Sequence, residues 1–153
     1  MEASNNVLRK KILIEINEDF HQGDKLNLAL DSELLNEIIR CFGEEDKQIR
    51  ELASRAIIKV AGTEKGRMIL VEDEHVPKIR DLFNDQVVEI RANSYKAMIA
   101  IAEFTYGVDS IIGFNIIPIL VDKLIDEKNE NILILILQLL KVLNEGEGAP
   151  LVI

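Results

Sequence analysis

Apolar residues recur along this chain at the three- and four-residue spacing of amphipathic α-helices, and the pattern itself returns about every 41 residues. Residues 45–61 align with residues 86–102 at a constant offset. A third copy follows at nearly the same distance from the second, which makes Ala56, Ala97 and Leu139 equivalent positions. Self-similarity at a period of roughly 20 to 50 residues is typical of stacked helical units. The chain is therefore predicted to be an array of such units.

Each unit is predicted to contain three helices, of which the repeated segments form the third. The second helices are expected over residues 32–42, 76–83 and 117–125. Pro77 and Pro118 then fall in the first turn of a helix, where a missing N–H costs little because that group has no partner within the helix.

A short first helix is expected after each of three evenly spaced glycines, Gly66, Gly107 and Gly148. Glycine adopts the backbone conformations that end helices, so these residues are predicted to turn the chain between helices. Upstream, residues 7–16 are interpreted as the third helix of a preceding unit, and residues 26–30 as a short first helix.

The chain is predicted to form one domain over residues 1–153. Its expected divisions are a partial repeat (1–30), two repeats (31–73 and 74–115) and a repeat running into a truncated next one (116–153). Both ends then fall inside a unit, and we expect a fragment of a longer array. The exposed end faces of such arrays need polar caps for solubility, so an uncapped end favours self-association.

The apolar run from Ile132 to Leu140 fits a buried strand as well as a helix, and the repeat register favours the helix. In this copy Leu133 replaces an arginine of both earlier copies, and Ile134 replaces a glutamate in one and an alanine in the other. Two explanations of the surplus apolar surface stay open, a further repeat or a partner protein. If a partner protein covers this surface, a second copy of the chain that forms a homodimer through this end helix is one expected partner.

Composition supports an all-α protein, because 48% of the 153 residues are hydrophobic but only 5% are aromatic, and tryptophan is absent. The net charge of −9 disfavours nucleic acid, since proteins bind phosphate backbones largely through lysine and arginine. Cys41 is the single cysteine and is expected to be a small buried apolar residue in a reducing compartment. With no signal-peptide pattern and no run long enough to insert in a membrane, we expect a cytoplasmic protein.

The residues needed for catalysis or metal binding are sparse. The two histidines, His21 and His75, are far apart in the sequence, and one cysteine with two scattered histidines cannot supply a zinc site. Acidic runs at residues 44–46 and 72–74 lack the spacing of a calcium loop, and the glycines form no phosphate-binding loop. We therefore predict no catalytic residue, no metal and no cofactor, and a protein that is not an enzyme.

These repeats resemble the armadillo/HEAT family, and most closely the armadillo-repeat proteins of ciliary radial spokes. The stretches that carry the resemblance are residues 66–82, 84–85, 111–127, 131–135 and 143–145. The resemblance implies a right-handed α-solenoid of about three to four three-helix repeats. It also implies a structural subunit of the motile-cilium axoneme that binds other axonemal proteins and performs no chemistry.

Peptide-binding armadillo proteins carry tryptophan and asparagine on the third helix, and this chain departs from that pattern. The corresponding residues are Arg55 and Lys59, Lys96 and Ala100, and Gln138 and Val142. Without the asparagine amides, recognition of an extended peptide in that mode is doubtful.

Arg55, Lys59 and Lys96 are expected instead to form a basic stripe that favours an acidic helix or tail, with an ordinary solvated helix face as the plainer interpretation. Together with Gln138, Leu133 and Ile134, these residues are the candidate protein-binding residues.

Three functions stay open on the sequence. The leading one is a structural assembly subunit of the axoneme. The alternative is a cytosolic adaptor that binds a short acidic or amphipathic helix of a partner in trafficking or transport. A regulatory subunit attached to an enzyme is compatible with the same surface.

Overall fold

The computed structural model describes residues 2–19 and 27–146, with side chains for 5–18 and 27–145, and this part of the chain contains helices and no strand. The helices are α1 (Glu2–Asp19), α2 (Ser32–Arg40), α3 (Lys47–Ala61), α4 (Glu64–Glu72), α5 (Val76–Asp81), α6 (Val88–Ala102), α7 (Thr105–Gly113), α8 (Ile116–Asp126) and α9 (Glu130–Gly146). Short 3₁₀ turns, Cys41–Gly43 and Leu82–Asn84, follow α2 and α5. Residues 27–29 are also helical.

The helices are arranged in the order of the chain. α3 packs against both α1 and α6, and α6 packs against both α3 and α9. α5 packs on α6, and both α7 and α8 pack on α9, while α2 and α4 pack on α3. The all-α prediction is confirmed for the described residues, and the ambiguous apolar run is helical within α9.

Side-chain caps explain where several helices begin. The Asp31 carboxylate accepts a hydrogen bond from the Leu34 N–H at 2.7 Å, and Asp46 accepts one from the Gln48 N–H at 2.9 Å. The Thr63 hydroxyl accepts one from the Gly66 N–H at 3.0 Å. The first N–H groups of a helix have no partner inside it, so these short polar side chains start α2, α3 and α4.

The core repeats with the register that the sequence predicts. Five positions of the third helix are buried in all three copies. They are Ile49, Ile90 and Ile132; Ala53, Ser94 and Ile136; Ala56, Ala97 and Leu139; Ile57, Met98 and Leu140; and Val60, Ile101 and Leu143. Burial of these side chains against neighbouring units is the main favourable contribution to folding. Cys41 is buried in the same core, as expected.

The predicted role of the repeated glycines is wrong for the two that lie in the described residues. Gly66 and Gly107 lie within the first turn of α4 and α7 and do not turn the chain between helices. A Cβ atom would lie 2.1 Å from the Val60 carbonyl oxygen at Gly66, and 1.9 Å from the Ile101 carbonyl oxygen at Gly107. Glycine is needed there because the first helix of a unit crosses the end of the preceding third helix in direct backbone contact. Gly148 lies outside the described residues.

Three arginines at equivalent positions of successive units join those units through what we call the arginine clasps. Each donates to a carboxylate just before the next third helix, and the pairs are Arg9 with Glu44 (2.7 Å), Arg50 with Asp85 (2.9 Å) and Arg91 with Glu127 (3.1 Å). Two of these arginines also donate to backbone carbonyl groups in the turn before their own helix, at 2.9 to 3.3 Å. One guanidinium therefore holds a turn of its own unit and the next unit together.

The clasp between α6 and α9 is largely removed from solvent. The side chains of Arg91 and Glu127 are only 18% and 8% exposed. Two guanidinium nitrogens of Arg91 donate to the Glu127 carboxylate. Burial by itself raises the pKa of Glu127, but hydrogen bonds from Arg91 and from the Asn129 N–H outweigh it and hold the pKa below its ordinary value.

Replacing Arg91 by Met should lower the free energy of unfolding by about 3 kcal/mol, because Glu127 would stay buried without its cation. Arg40→Met is the matched control, since the Arg40–Glu37 pair is exposed and should contribute at most about 0.5 kcal/mol. Urea unfolding measures both. Adding Glu127→Leu to Arg91→Met should recover part of the loss, and a further additive loss would contradict the assignment of a buried pair.

Gly107→Ala should destabilise the protein by about 2 kcal/mol or more, because the new methyl group would overlap the Ile101 carbonyl oxygen. Gly113→Ala, in the same helix, is the control, since no atom lies within 4 Å of a Cβ atom at that position. Thermal unfolding of the two variants checks this, and equal melting temperatures would show that the close approach is not needed.

Candidate protein-interaction surface

The outward side of α9 is exposed at a position that the other third helices bury. The equivalent residues are Leu13 in α1, Ser54 in α3 and Tyr95 in α6, which are 3%, 1% and 0% exposed. Leu137 occupies this position in α9 and is 56% exposed. Among the described residues, no helix covers it. In α9 an apolar side chain is therefore exposed to solvent at a position that is buried in the other third helices.

The two candidate residues that the sequence indicates on α9 lie beside Leu137. Ile134 is 53% exposed, and Leu133 is half-buried at the position where Arg50 and Arg91 make their clasps. The series of arginine clasps therefore ends before α9, because leucine offers no donor to a carboxylate. The surplus apolar surface predicted for this helix is present in the structure.

Leu137 was missed by the sequence analysis together with two charged neighbours on the same side of the helix. Glu130, Ile134, Leu137 and Lys141 are all exposed, and their spacing of four, three and four residues places them in one line, which we call the α9 stripe. The signal that could have found it is the register, since Leu137 aligns with Tyr95 and Ser54 when the three copies are superimposed.

Arg55, Lys96 and Gln138 occupy equivalent positions on α3, α6 and α9 and are all exposed, as the candidate basic stripe requires. Arg55 pairs with Glu51 of its own helix at 2.9 Å, which partly neutralises it. Lys59 is half-exposed, and neither Lys59 nor Lys96 has an ion-pair partner among the described residues. These two lysines are therefore available to an acidic ligand.

A cavity of about 750 Å³ lies between the second helices α2 and α5. Its wall carries two basic side chains, Arg40 and Lys78, and an excess of acidic ones, Asp73, Glu74, Asp81 and Asp85. Asp85 is paired with Arg50. The equivalent groove between α5 and α8 is smaller, about 320 Å³, and is bridged by hydrogen bonds from Arg80 to the Phe114 carbonyl and from Lys123 to Asn84.

His75 contributes to the wall of the larger cavity but is itself buried, and its Nε2 has no hydrogen-bond partner in the described part of the chain. Burial lowers the pKa of His75, and the nearby Asp73 carboxylate opposes this only in part. The imidazole is therefore neutral at neutral pH. His21, the other histidine, lies outside the described residues.

The remaining chemistry of the described residues is sparse. They contain no cluster of three or more histidine, cysteine, aspartate or glutamate side chains that could hold a metal ion. Burial raises the pKa of the Cys41 thiol, which makes it a poor nucleophile. Within residues 2–19 and 27–146, no helix has the length and apolar character needed to cross a membrane.

Comparisons with known proteins identify a fold and no family. The chain matches no protein-family model and no curated protein. Two similar solved structures are crystal structures of engineered proteins from the Northeast Structural Genomics Consortium, with 17% and 16% identity and TM-scores of 0.66 and 0.67. Each match covers 73% of this chain, but only 46% and 28% of the two engineered proteins. The chain shares their helical fold and spans less than half of either.

The stability of the protein should fall as the pH drops from about 7 to about 5. The unfolded chain binds a proton at His75 near the ordinary histidine pKa of about 6.5, whereas the folded protein resists it. The stabilisation from the neutral imidazole is thus complete above that pKa and lost below it.

His75→Ile, which places the equivalent residue of α8 at this site, should flatten the pH dependence in urea unfolding. An unchanged pH dependence in the His75 variant would contradict the prediction.

Proposed function

We infer that this chain is a non-enzymatic protein–protein interaction scaffold that acts as a subunit of a larger assembly. The observation that carries the inference is Leu137, 56% exposed at a position that is at most 3% exposed in the three other third helices. Apolar surface at an interface position gains free energy when a protein covers it, and exposed apolar patches mark such interaction sites.

The repeated geometry supports an armadillo/HEAT-type solenoid as the architecture of this scaffold. Three arginine clasps recur at one register, and the third helices pack in chain order. Each unit then contacts mainly its neighbours, as in quasi-one-dimensional repeat proteins. Together with the resemblance in sequence, this makes a structural role in the radial spokes of the motile axoneme the leading proposal, with the protein located in the cytoplasm and cilium.

A second candidate function is an adaptor that binds a short acidic or amphipathic helix. Lys59 and Lys96 favour it, because they lie on successive third helices without an ion-pair partner among the described residues, in a chain whose net charge is −9. A local excess of positive charge attracts acidic segments and speeds their association. Binding would depend mainly on apolar contacts for an assembly subunit and mainly on charge for an adaptor.

Co-sedimentation of the purified chain with demembranated axonemes from motile cilia separates the two candidates. An assembly subunit should bind saturably, and its binding should resist added salt because its contacts are apolar. The Leu137→Glu variant should bind several-fold more weakly. Ile125→Glu is the matched control, since Ile125 is an exposed apolar residue of α8 outside the α9 stripe.

The binding of an adaptor should instead weaken as the salt concentration rises. The double variant, Arg55→Glu with Lys96→Glu, should also bind more weakly. The control for that variant is Lys78→Glu with Lys128→Glu, which changes the charge equally at lysines outside the third helices. Failure of the wild-type chain to bind axonemes at any concentration would contradict the axonemal assignment.

A further inference from the structure

The α9 stripe is complementary to itself when two copies run in opposite directions. From its amino to its carboxyl end it presents an acid, two aliphatic side chains and a base, which are Glu130, Ile134, Leu137 and Lys141. Glu130 has no ion-pair partner among the described residues. Lys141 has only a marginal contact with Glu145, at 4.0 Å between two mostly exposed side chains. Both charges can therefore pair elsewhere at little cost.

We propose that α9 binds a second copy of this chain through the stripe, antiparallel about a two-fold axis. In this arrangement Ile134 of each copy packs against Leu137 of the other, and Glu130 faces Lys141 at both ends. A parallel arrangement would place Glu130 against Glu130 and Lys141 against Lys141 of the other copy, and these like charges repel each other. The proposal rests on the proposed scaffold function, and it identifies a second copy of the chain as the protein that covers the exposed side of α9.

The same face is a poor fit for a further unit of the internal kind. At the two internal interfaces between α3, α6 and α9, the following unit presents a carboxylate to an arginine. On α9 the clasp position is Leu133, so an equivalent carboxylate would be left against a leucine side chain. Desolvating that carboxylate without a partner is costly. Leu137 itself does not oppose such a unit, because Leu13 of α1 is buried at the equivalent position.

A partner that is apolar at the centre and charged only at the edges fits better, and the stripe itself has that pattern. A two-fold contact is also closed, because each copy uses its stripe once. The interface consists of few side chains, so the dimer is expected to be weak and to depend on protein concentration.

Sedimentation equilibrium of the full chain over a wide concentration range tests the proposal. The wild type should show a reversible monomer–dimer equilibrium with no larger species. Leu137→Glu should raise the dimer dissociation constant at least about 100-fold, because two leucine contacts are lost in each dimer. Ile125→Glu should leave it unchanged.

Charge reversal tests the antiparallel register. Glu130→Lys and Lys141→Glu should each weaken the dimer about tenfold, since each turns two attractive pairs into repulsive ones. The double variant, Glu130→Lys with Lys141→Glu, should restore the wild-type constant. Circular dichroism of each variant confirms that the helices are retained.

Several results would overturn the proposal. They are a wild-type chain that is monomeric throughout, a dimer that tolerates Leu137→Glu, and single charge reversals that leave the dissociation constant unchanged. A monomer whose Leu137 resists hydroxyl-radical labelling would identify another part of the same chain as the occupant. Because these measurements use the purified chain alone, such failures are separate from failure to bind axonemes.

Discussion

The structure depends on how each third helix is covered by the unit that follows it. Apolar burial supplies the free energy of that contact, and the arginine clasp sets its register, because a planar guanidinium binding a carboxylate tolerates little sliding between units. In the clasp of Arg91 with Glu127 the pair is nearly buried, so neither charge can lose its partner without a large loss of stability. Arg9, Arg50 and Arg91 are evenly spaced along the chain and hold successive units in the same register.

The same constraint explains why α9 differs from the helices before it. Where the clasp arginine would stand, the chain has Leu133. Leu137 stands where α3 has Ser54 and α6 has Tyr95, although α1 also has a leucine there, Leu13. The change replaces a charged, directional contact by an apolar one. A protein that covers α9 is therefore recognised by shape and apolar area, with Glu130 and Lys141 left to set its direction.

Buried polar atoms without partners mark where the units depart from ideal packing. Tyr95 is fully buried and stacks on Phe83 at 4.0 Å, but its hydroxyl has no hydrogen-bond partner in the described residues. His75 is in the same situation, at a position where the next unit has Ile116. Each leaves a buried polar atom without a partner, and apolar burial elsewhere in the core offsets that cost.

The helices, their register and the apolar surplus of α9 could all be predicted from the amino-acid sequence, because periodic burial of side chains is written in local spacing and in its repetition. The close approach of Gly66 and Gly107 to carbonyl oxygens of the preceding third helix could be seen only in the folded chain. The register aligns Leu137 with Tyr95, but only the structure shows that Leu137 is exposed where Tyr95 is buried. Each residue fits the apolar pattern of its own helix, and its exposure depends on which other elements pack over it, which local spacing does not encode.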